Sequence, residues 1–287
     1  RRDLDYEAYT EIVVSPEDDI ELRRLRVTNH SEVRRTIEVT SYAEVVLAPQ
    51  AADALQPSFG NLFVQTEVFQ DRRTILCTRR PRSAAEPTPW MFHLIAPNGT
   101  AVGATSYETD RVRFLGRGRT VVAPLALTGN AALSGSEGSV LEPIVAIRCL
   151  VALDPGESAT LDLVSGPADS REACLALAAK YQDRHLADRV FDLAWTHGGV
   201  MLRQINAIAG EAQVYRRLAG PVIYANAALR AGLSAGRELL RTGHGHGGLL
   251  QRRRGRERRH PDRQPHPVRH QRRDRQREEY GERRQRA

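Results

Sequence analysis

Thr36-Ile37-Glu38-Val39-Thr40-Ser41-Tyr42-Ala43-Glu44-Val45-Val46-Leu47 is the stretch that decides the fold class. Ile37, Val39, Ala43, Val45 and Leu47 fall on one side of an extended chain. Glu38, Thr40, Tyr42 and Glu44 fall on the other. A period of two predicts a long strand with one face toward a core and one toward water. Working outward, residues 20–27, 62–69, 74–78, 90–96, 144–153 and 159–164 carry the same strand pattern. Turn chemistry separates the runs: Ser15-Pro16-Glu17-Asp18-Asp19 precedes one strand, and Thr28-Asn29-His30-Ser31 joins two. Pro97-Asn98-Gly99 is a hairpin signal, and Asp154-Pro155-Gly156-Glu157 closes a further pair. Many strands at short spacing, with no helix between them, predict antiparallel sheets packed as a sandwich up to about residue 166.

The period then changes. Asp169-Ser170-Arg171-Glu172 reads as a capping box that opens a helix over 169–182, with Ala173, Cys174, Leu177, Ala178 and Tyr181 as its apolar stripe. A second helix is predicted over 186–206, turning Leu186, Val190, Leu193, Ala194, Val200, Met201 and Ile205 inward and weakened at Gly198-Gly199. A third, over 212–231, should break at Gly220-Pro221. The expected organisation is a sandwich over 1–166, helices over 167–231 and a low-complexity tail over 232–287.

Charge separates that tail from the rest. The chain carries +7 overall, but residues 1–230 hold 25 basic and 28 acidic side chains, against 17 and 7 in residues 231–287. Attraction to nucleic acid is therefore a question for the tail alone. The tail has no Ile, Phe, Trp, Met, Cys, Asn or Lys, and cannot bury enough surface to offset the entropy of ordering. Lys180 is the sole lysine among 42 basic residues, which points to a GC-rich gene. Out-of-frame reading of such DNA yields Arg-Gly-His-Gln-Pro mixtures of this kind, and the tail is read as non-native sequence. Nucleic-acid binding through 252–259 and 269–277 stays as the alternative.

Cys77, Cys149 and Cys174 are far apart and odd in number, so they read as buried apolar residues, not a disulfide scaffold or a zinc site. No run of about 18 apolar residues crosses a bilayer. The first residues, Arg1-Arg2-Asp3-Leu4-Asp5, are neither a signal peptide nor a natural start, so the chain is expected to begin in mid-protein.

Several ordered segments carry a family likeness. They are Glu11 to Asp19, Ile37 to Glu44, Asn61 to Glu67, Tyr107 to Arg117, Arg189 to Trp195 and Tyr224-Ala225-Asn226. Over roughly 5–230 the chain resembles the phosphorylase-like region of bacterial cyclic β-1,2-glucan synthases. That region is grouped with cellobiose and chitobiose phosphorylases, once glycosyltransferase family 36 and now glycoside hydrolase family 94. The resemblance implies an antiparallel β-supersandwich, then linker helices, then a catalytic (α/α)6 barrel that should begin near Ala228, where the tail starts instead. It also implies a β-glucan partner, inorganic phosphate as co-substrate of the parent with no other cofactor, and a parent on the cytoplasmic side of the inner membrane. This segment is expected to contact neither membrane nor specific nucleic acid.

The barrel Asp that would protonate the glycosidic oxygen has no counterpart here, so no catalytic residue is assigned and the fragment alone should be inactive. Glu17, Asp18 and Asp19 read as turn composition. Glu108 and Asp110 read as partners of nearby arginines. His30, His93, His185 and His197 lack a neighbouring nucleophile motif, and Asn29-His30-Ser31 and Asn98-Gly99-Thr100 read as turns more than as glycosylation sites. The most site-like stretch is 107–119. As a strand it would place Arg111, Arg113, Arg117 and Arg119 on one face, a ladder of forked donors for phosphate or sugar hydroxyls. Arg117 is the first substrate-binding candidate, with Arg111 and Arg119 beside it. The competing reading is an arginine–carboxylate network on the sandwich surface. A standalone carbohydrate-binding or scaffold module is the rival function.

Overall fold

The computed structural model describes residues 2–3, 5–84, 86–99, 102–129 and 131–223. The tail over 232–287, and the third helix's expected extension to 231, lie outside them. The elements in order are strands β1 (Arg2–Asp3), β2 (Tyr6–Val14), β3 (Glu21–Asn29), β4 (Arg35–Thr40) and β5 (Ala43–Glu44), then short helices α1 (Gln50–Leu55) and α2 (Pro57–Asn61). Strands β6 (Val64–Phe69), β7 (Thr74–Arg79), β8 (Trp90–Pro97) and β9 (Val102–Asp110) lead to helix α3 (Arg111–Leu115). Strands β10 (Gly138–Ser139), β11 (Pro143–Leu153) and β12 (Ser158–Ala168) precede helices α4 (Arg171–Lys180), α5 (Arg184–Gln204) and α6 (Ala209–Ile223). Residues 1–218 form one compact unit; of a second, 219–287, only 219–223 are described.

One sheet runs β1-β2-β3-β12-β8-β7-β6-β10, and in the other β11 lies between β9 and the β4/β5 line. Every pairing is antiparallel. Val27, Ile75, Cys77, Ile95 and Leu161 of the first sheet meet Val39, Val45, Val145, Ile147, Cys149 and Val151 of the second. The opposite face of the first sheet, with Leu22, Leu76, Phe92, Leu94 and Val164, is covered by Cys174, Ala178, Tyr181, Ala187 and Val190 of α4 and α5. Beyond the second sheet, Phe114, Leu115, Ala126 and Leu133 lie over Ile144 and Ala146. A strand covered on both sides cannot alternate, which is why β7 is buried at all six positions.

The expected strand over 36–47 is interrupted. β4 and β5 both pair with β11, and at the break the Ser41 amide donates to the Ile147 carbonyl at 2.9 Å while its Oγ accepts from the Ile147 amide at 3.0 Å. Ile37, Val39, Ala43, Val45 and Leu47 still all reach the inter-sheet core. Short helices do interrupt the all-β region. Proline at the first position of α2, and Asp110 capping α3 through the amides of Val112 and Arg113, make single helical turns attainable without a long periodic pattern. Strand β12 runs past Gly166-Pro167 to Ala168. Pairing with β3 stops at Ser165 while pairing with β8 continues, so the proline sits where one neighbour is gone.

Three turns behave differently from hairpins. Asn29, Asn98-Gly99 and Asp154-Pro155-Gly156 each carry the chain from one sheet to the other, because β3, β8 and β12 lie in the first sheet and β4, β9 and β11 in the second. Gly99 and Gly156 take positive φ at these turns, +70° and +75°. Asn29 is fully buried and donates to the Val33 and Leu153 carbonyls at 2.9 and 3.1 Å, which leaves no room for a glycan.

Among the helices, the cap of α4 is Ser170, whose hydroxyl accepts from the Ala173 amide at 3.1 Å; the expected Asp–Glu capping box does not form because Ala173 occupies its reciprocal position. Helix α5 passes through Gly198-Gly199 unbroken, and α6 carries Pro221 in its last turn instead of ending before it. A proline that close to a C-terminus removes one internal bond, too little to stop the helix earlier.

His93 holds the two sheets together. Its Nδ1 lies 2.7 Å from Ser165 Oγ and its Nε2 2.8 Å from Ser41 Oγ, one serine from each sheet. Burial first, and the Arg23 charge second, push its pKa down to about 4. Between pH 6.5 and 4 the unfolded chain therefore binds more protons than the folded one. The stability due to neutral His93 is complete above pH 6.5 and is lost as pH falls toward 4, roughly 3 kcal/mol in all. Urea unfolding across this window should give a falling stability in the wild type and a clearly flatter profile in His93→Gln; parallel profiles would refute this assignment.

Candidate functional site

The segment 107–142 is built from the edge of the second sheet outward. Asp110 ends β9 and caps α3, so residues 111–115 are one helical turn. Gly116 then takes φ +81°, with a Cβ excluded by Leu125 at 2.7 Å. The expected arginine ladder is therefore not formed: a helical turn followed by a left-handed residue disperses side chains that a strand would have aligned. Arg111 forks between Glu44 and Glu142, both at 2.9 Å, and these carboxylates hold its guanidinium more firmly protonated than usual. This is the carboxylate network that competed with the site reading. Arg113 reaches Asp110 at 3.8 Å and Ser134 Oγ at 3.3 Å. Arg117 and Arg119 are exposed and have no ion-pair partner among the described residues.

Two buried charges that the sequence did not single out in these roles pin the following loop. Glu108 is 2% exposed and takes no arginine. Its carboxylate accepts from Ser134 Oγ at 2.7 Å, from Ser136 Oγ, and from the Thr109 and Asp110 amides at 3.1 Å. Hydroxyls and amides satisfy it where an ion pair was expected. Arg148, 3% exposed, donates to the carbonyls of Ala126 at 2.5 Å and Ala131 at 2.8 Å and to Thr40 Oγ1 at 3.1 Å. The exposed arginines thus ride on a loop fastened at both ends.

Two carboxylates of the acidic run 17–19 are held in ion pairs. Asp18 receives Lys180 Nζ at 2.6 Å and the Tyr181 hydroxyl, and these two partners outweigh burial and keep its carboxyl below the usual range. Glu17 pairs with Arg189 at 2.7 Å. Beside this loop an open groove of about 550 Å3 is lined by Val14, Ile20, Val46, Leu47, Met91 and Pro167, with Asp19 and Glu21 also in its wall. Burial pushes the Cys77 and Cys174 thiols up, the latter to about 11, so neither is a nucleophile near neutral pH. Among the described residues no group of His, Cys, Asp and Glu could hold a metal, and no helix is long and apolar enough to cross a membrane.

A second surface lies on the helices. Only Ala187 and Val190 of α5 are buried, both in its first half. Val200, Met201 and Ile205, expected to face inward, are 44%, 45% and 57% exposed, and Trp195 is 86% exposed. Ile208, Val214, Tyr215 and Leu218 continue the exposed apolar residues along and just before α6. Among the described residues, the second half of α5 thus leaves Trp195, Val200 and Met201 largely uncovered.

The chain is similar to known proteins along most of its length. The family model described as the glycosyl hydrolase 94 supersandwich domain matches residues 1–184. The chain is 34% identical over 227 residues to the cyclic beta-(1,2)-glucan synthase NdvB of Rhizobium meliloti (strain 1021). That match takes in 79% of this chain and spans 8% of the relative's length. An antiparallel two-sheet sandwich backed by helices, with the family's model lying across both sheets and into the first helices, leaves one conclusion: the chain belongs to the glycosyl hydrolase 94 supersandwich family.

Proposed function

We propose that this chain is the scaffold portion of a glucan-synthase-type protein and acts by seating a catalytic (α/α)6 barrel on the exposed apolar face of α5 and α6. The observation that carries this reading is Trp195 at 86% exposure within a run of uncovered Val200, Met201, Ile205 and Ile208. An apolar surface of this extent on a folded module marks an interaction site. The named relative is a glucan synthase, and β-glucan is the substrate class proposed here, with phosphate as the co-substrate that would attack the anomeric carbon. The residue that would protonate the leaving oxygen is assigned to the barrel, so the chain alone carries out no phosphorolysis. Arg117 and Arg119, exposed and free of ion pairs among the described residues, are the side chains proposed to reach toward the barrel's phosphate or glucan. Arg111 is the weaker candidate, since Glu44 and Glu142 already occupy it.

The test is reconstitution with a separately expressed barrel from a related glucan synthase. The chain alone should release no glucose 1-phosphate from β-1,2-glucan. Trp195→Asp together with Ile205→Asp should weaken association with the barrel at least about tenfold, since buried aromatic anchors dominate such interfaces. Arg117→Ala should leave association intact and raise the KM for phosphate or glucan several-fold. Association unaffected by the helix variants would remove the scaffold reading, and binding of β-1,2-glucan by the isolated chain would favour a carbohydrate-binding module in its place.

A further inference from the structure

Strand β7 ends at Arg79, and the chain reverses through 80–89 before β8 begins at Trp90. Three arginines stand within four residues here, Arg79, Arg80 and Arg82. The Arg79 side chain is 6% exposed, and its Nη1 lies 2.6 Å from Glu86 Oε1. Glu86 Oε2 accepts from the Arg82 amide at 2.8 Å and lies 3.5 Å from Arg82 Nε. The Phe63 ring faces the guanidinium groups of both Arg79 and Arg80, at 5.8 and 5.9 Å from its centroid. The Arg82 amide, then Arg79, hold the Glu86 carboxyl at a pKa of about 2, so it is ionised at any ordinary pH.

The arrangement is incomplete in one respect. Arg79 Nε is shut away from water and has no acceptor. A buried guanidinium donor without a partner is costly, and such groups are uncommon in folded proteins. The two oxygens of Glu86 face Arg79 Nη1 and Arg82, and neither of them hydrogen-bonds to Arg79 Nε. A tetrahedral oxyanion carries more acceptor atoms and can serve both edges of a fork. Outside its side-chain contacts, Glu86 is tethered through its amide, which donates to the Ser83 carbonyl at 3.1 Å. Lifting its side chain breaks no sheet pairing.

From these contacts we infer that Arg79, Arg80 and Arg82 form an oxyanion site for a phosphate-type group, in which the Glu86 carboxylate is the resident intramolecular ligand. An incoming phosphoryl group takes the place of Glu86 on Arg79 and Arg82, and Arg80, exposed beside Phe63, supplies a third positive charge. Glu86 is then a competitor, and removing its charge should open the site.

The experiment is a titration of the full chain with inorganic phosphate and, in a second arm, with methyl phosphate, at constant ionic strength set by chloride. Any anion binding by the arginine-rich tail is common to all variants, so the comparison between variants is the readout. Glu86→Gln should bind phosphate about tenfold more tightly than wild type, and its melting temperature should rise more steeply with phosphate. Arg82→Ala, an exposed position that leaves the fold intact, should weaken phosphate binding several-fold and cancel the gain when combined with Glu86→Gln. Tighter binding of methyl phosphate than of phosphate would identify an esterified phosphoryl group as the ligand, and the reverse order a free anion. Equal phosphate affinity in wild type, Glu86→Gln and Arg82→Ala overturns the inference.

Discussion

Asp162→Ala should lower the stability of this protein by about 3–4 kcal/mol, within the range for breaking one partner of a buried ion pair. Asp162 lies in the middle of β12 and is wholly buried. Its two oxygens receive Arg24 Nε at 2.8 Å and Nη2 at 2.9 Å, and the second also receives Asn98 Nδ2 at 2.6 Å. Arg24 continues to Asp188 of α5 at 2.7 Å and sits 4.8 Å from the Phe191 ring centroid. The Asp162 bond is the main reason that Arg24 is held protonated beyond the ordinary arginine range. The alanine variant leaves a largely buried guanidinium with one half-exposed partner. It also strips the acceptor from Asn98, at the turn where the chain changes sheets. Arg189→Ala is the matched control, because it breaks a pair between α5 and Glu17 whose side chains are 57% and 42% exposed. That loss should be far smaller, because water and salt screen an exposed pair. Urea unfolding of both variants decides the matter, and similar losses would mean that burial does not set the value of these pairs.

Gly166→Ala should cost about 2–3 kcal/mol, the range for forcing an extra methyl group into a packed site. A Cβ at position 166 would collide with the Asp19 carbonyl oxygen and stand 2.7 Å from Ile20 Cγ2 and 3.2 Å from Ile20 Cα. Those atoms belong to a loop that cannot give way. Ser15 donates to the Ile20 carbonyl at 3.0 Å, Ile20 donates to that of Asp18 at 2.8 Å, and Asp18 is tied to Lys180 and Tyr181. Gly198→Ala is the contrast, since a Cβ there meets nothing within 4 Å and alanine favours helix by about 1 kcal/mol. Thermal melts should move in opposite directions for the two variants. A neutral Gly166→Ala would show that the loop yields.

The alternation of Ile37, Val39, Ala43, Val45 and Leu47 correctly selected the core-facing side, because side-chain direction in extended chain is a local property. The turns at Asn98-Gly99 and Asp154-Pro155-Gly156 were legible for the same reason. Which sheet a turn leads into was not, since a turn reverses the chain in the same way whether the next strand pairs alongside or crosses to the opposite layer. The arginine segment failed as a ladder because one capping carboxylate, Asp110, converted a predicted strand into a helical turn. Glu108 failed as an arginine partner because its true partners, Ser134 and Ser136, stand more than two dozen residues further along and meet it only when the loop folds back.

By itself the sequence determined the antiparallel β class, the change to helices after the last strand, the family likeness and the separation of a basic tail from a mildly acidic body. These rest on periodicity, composition and ordered segments, all local to the chain. Tertiary structure alone decided that β7 is buried on both faces, that Asp162, Glu108 and Arg148 are interior charges, that Val200, Met201 and Ile205 point to solvent, and that Arg79 carries an unmatched donor. Each of those depends on which distant residues come to lie within about 4 Å, and burial, ion pairing and exposure are properties of that encounter, not of the residues taken singly.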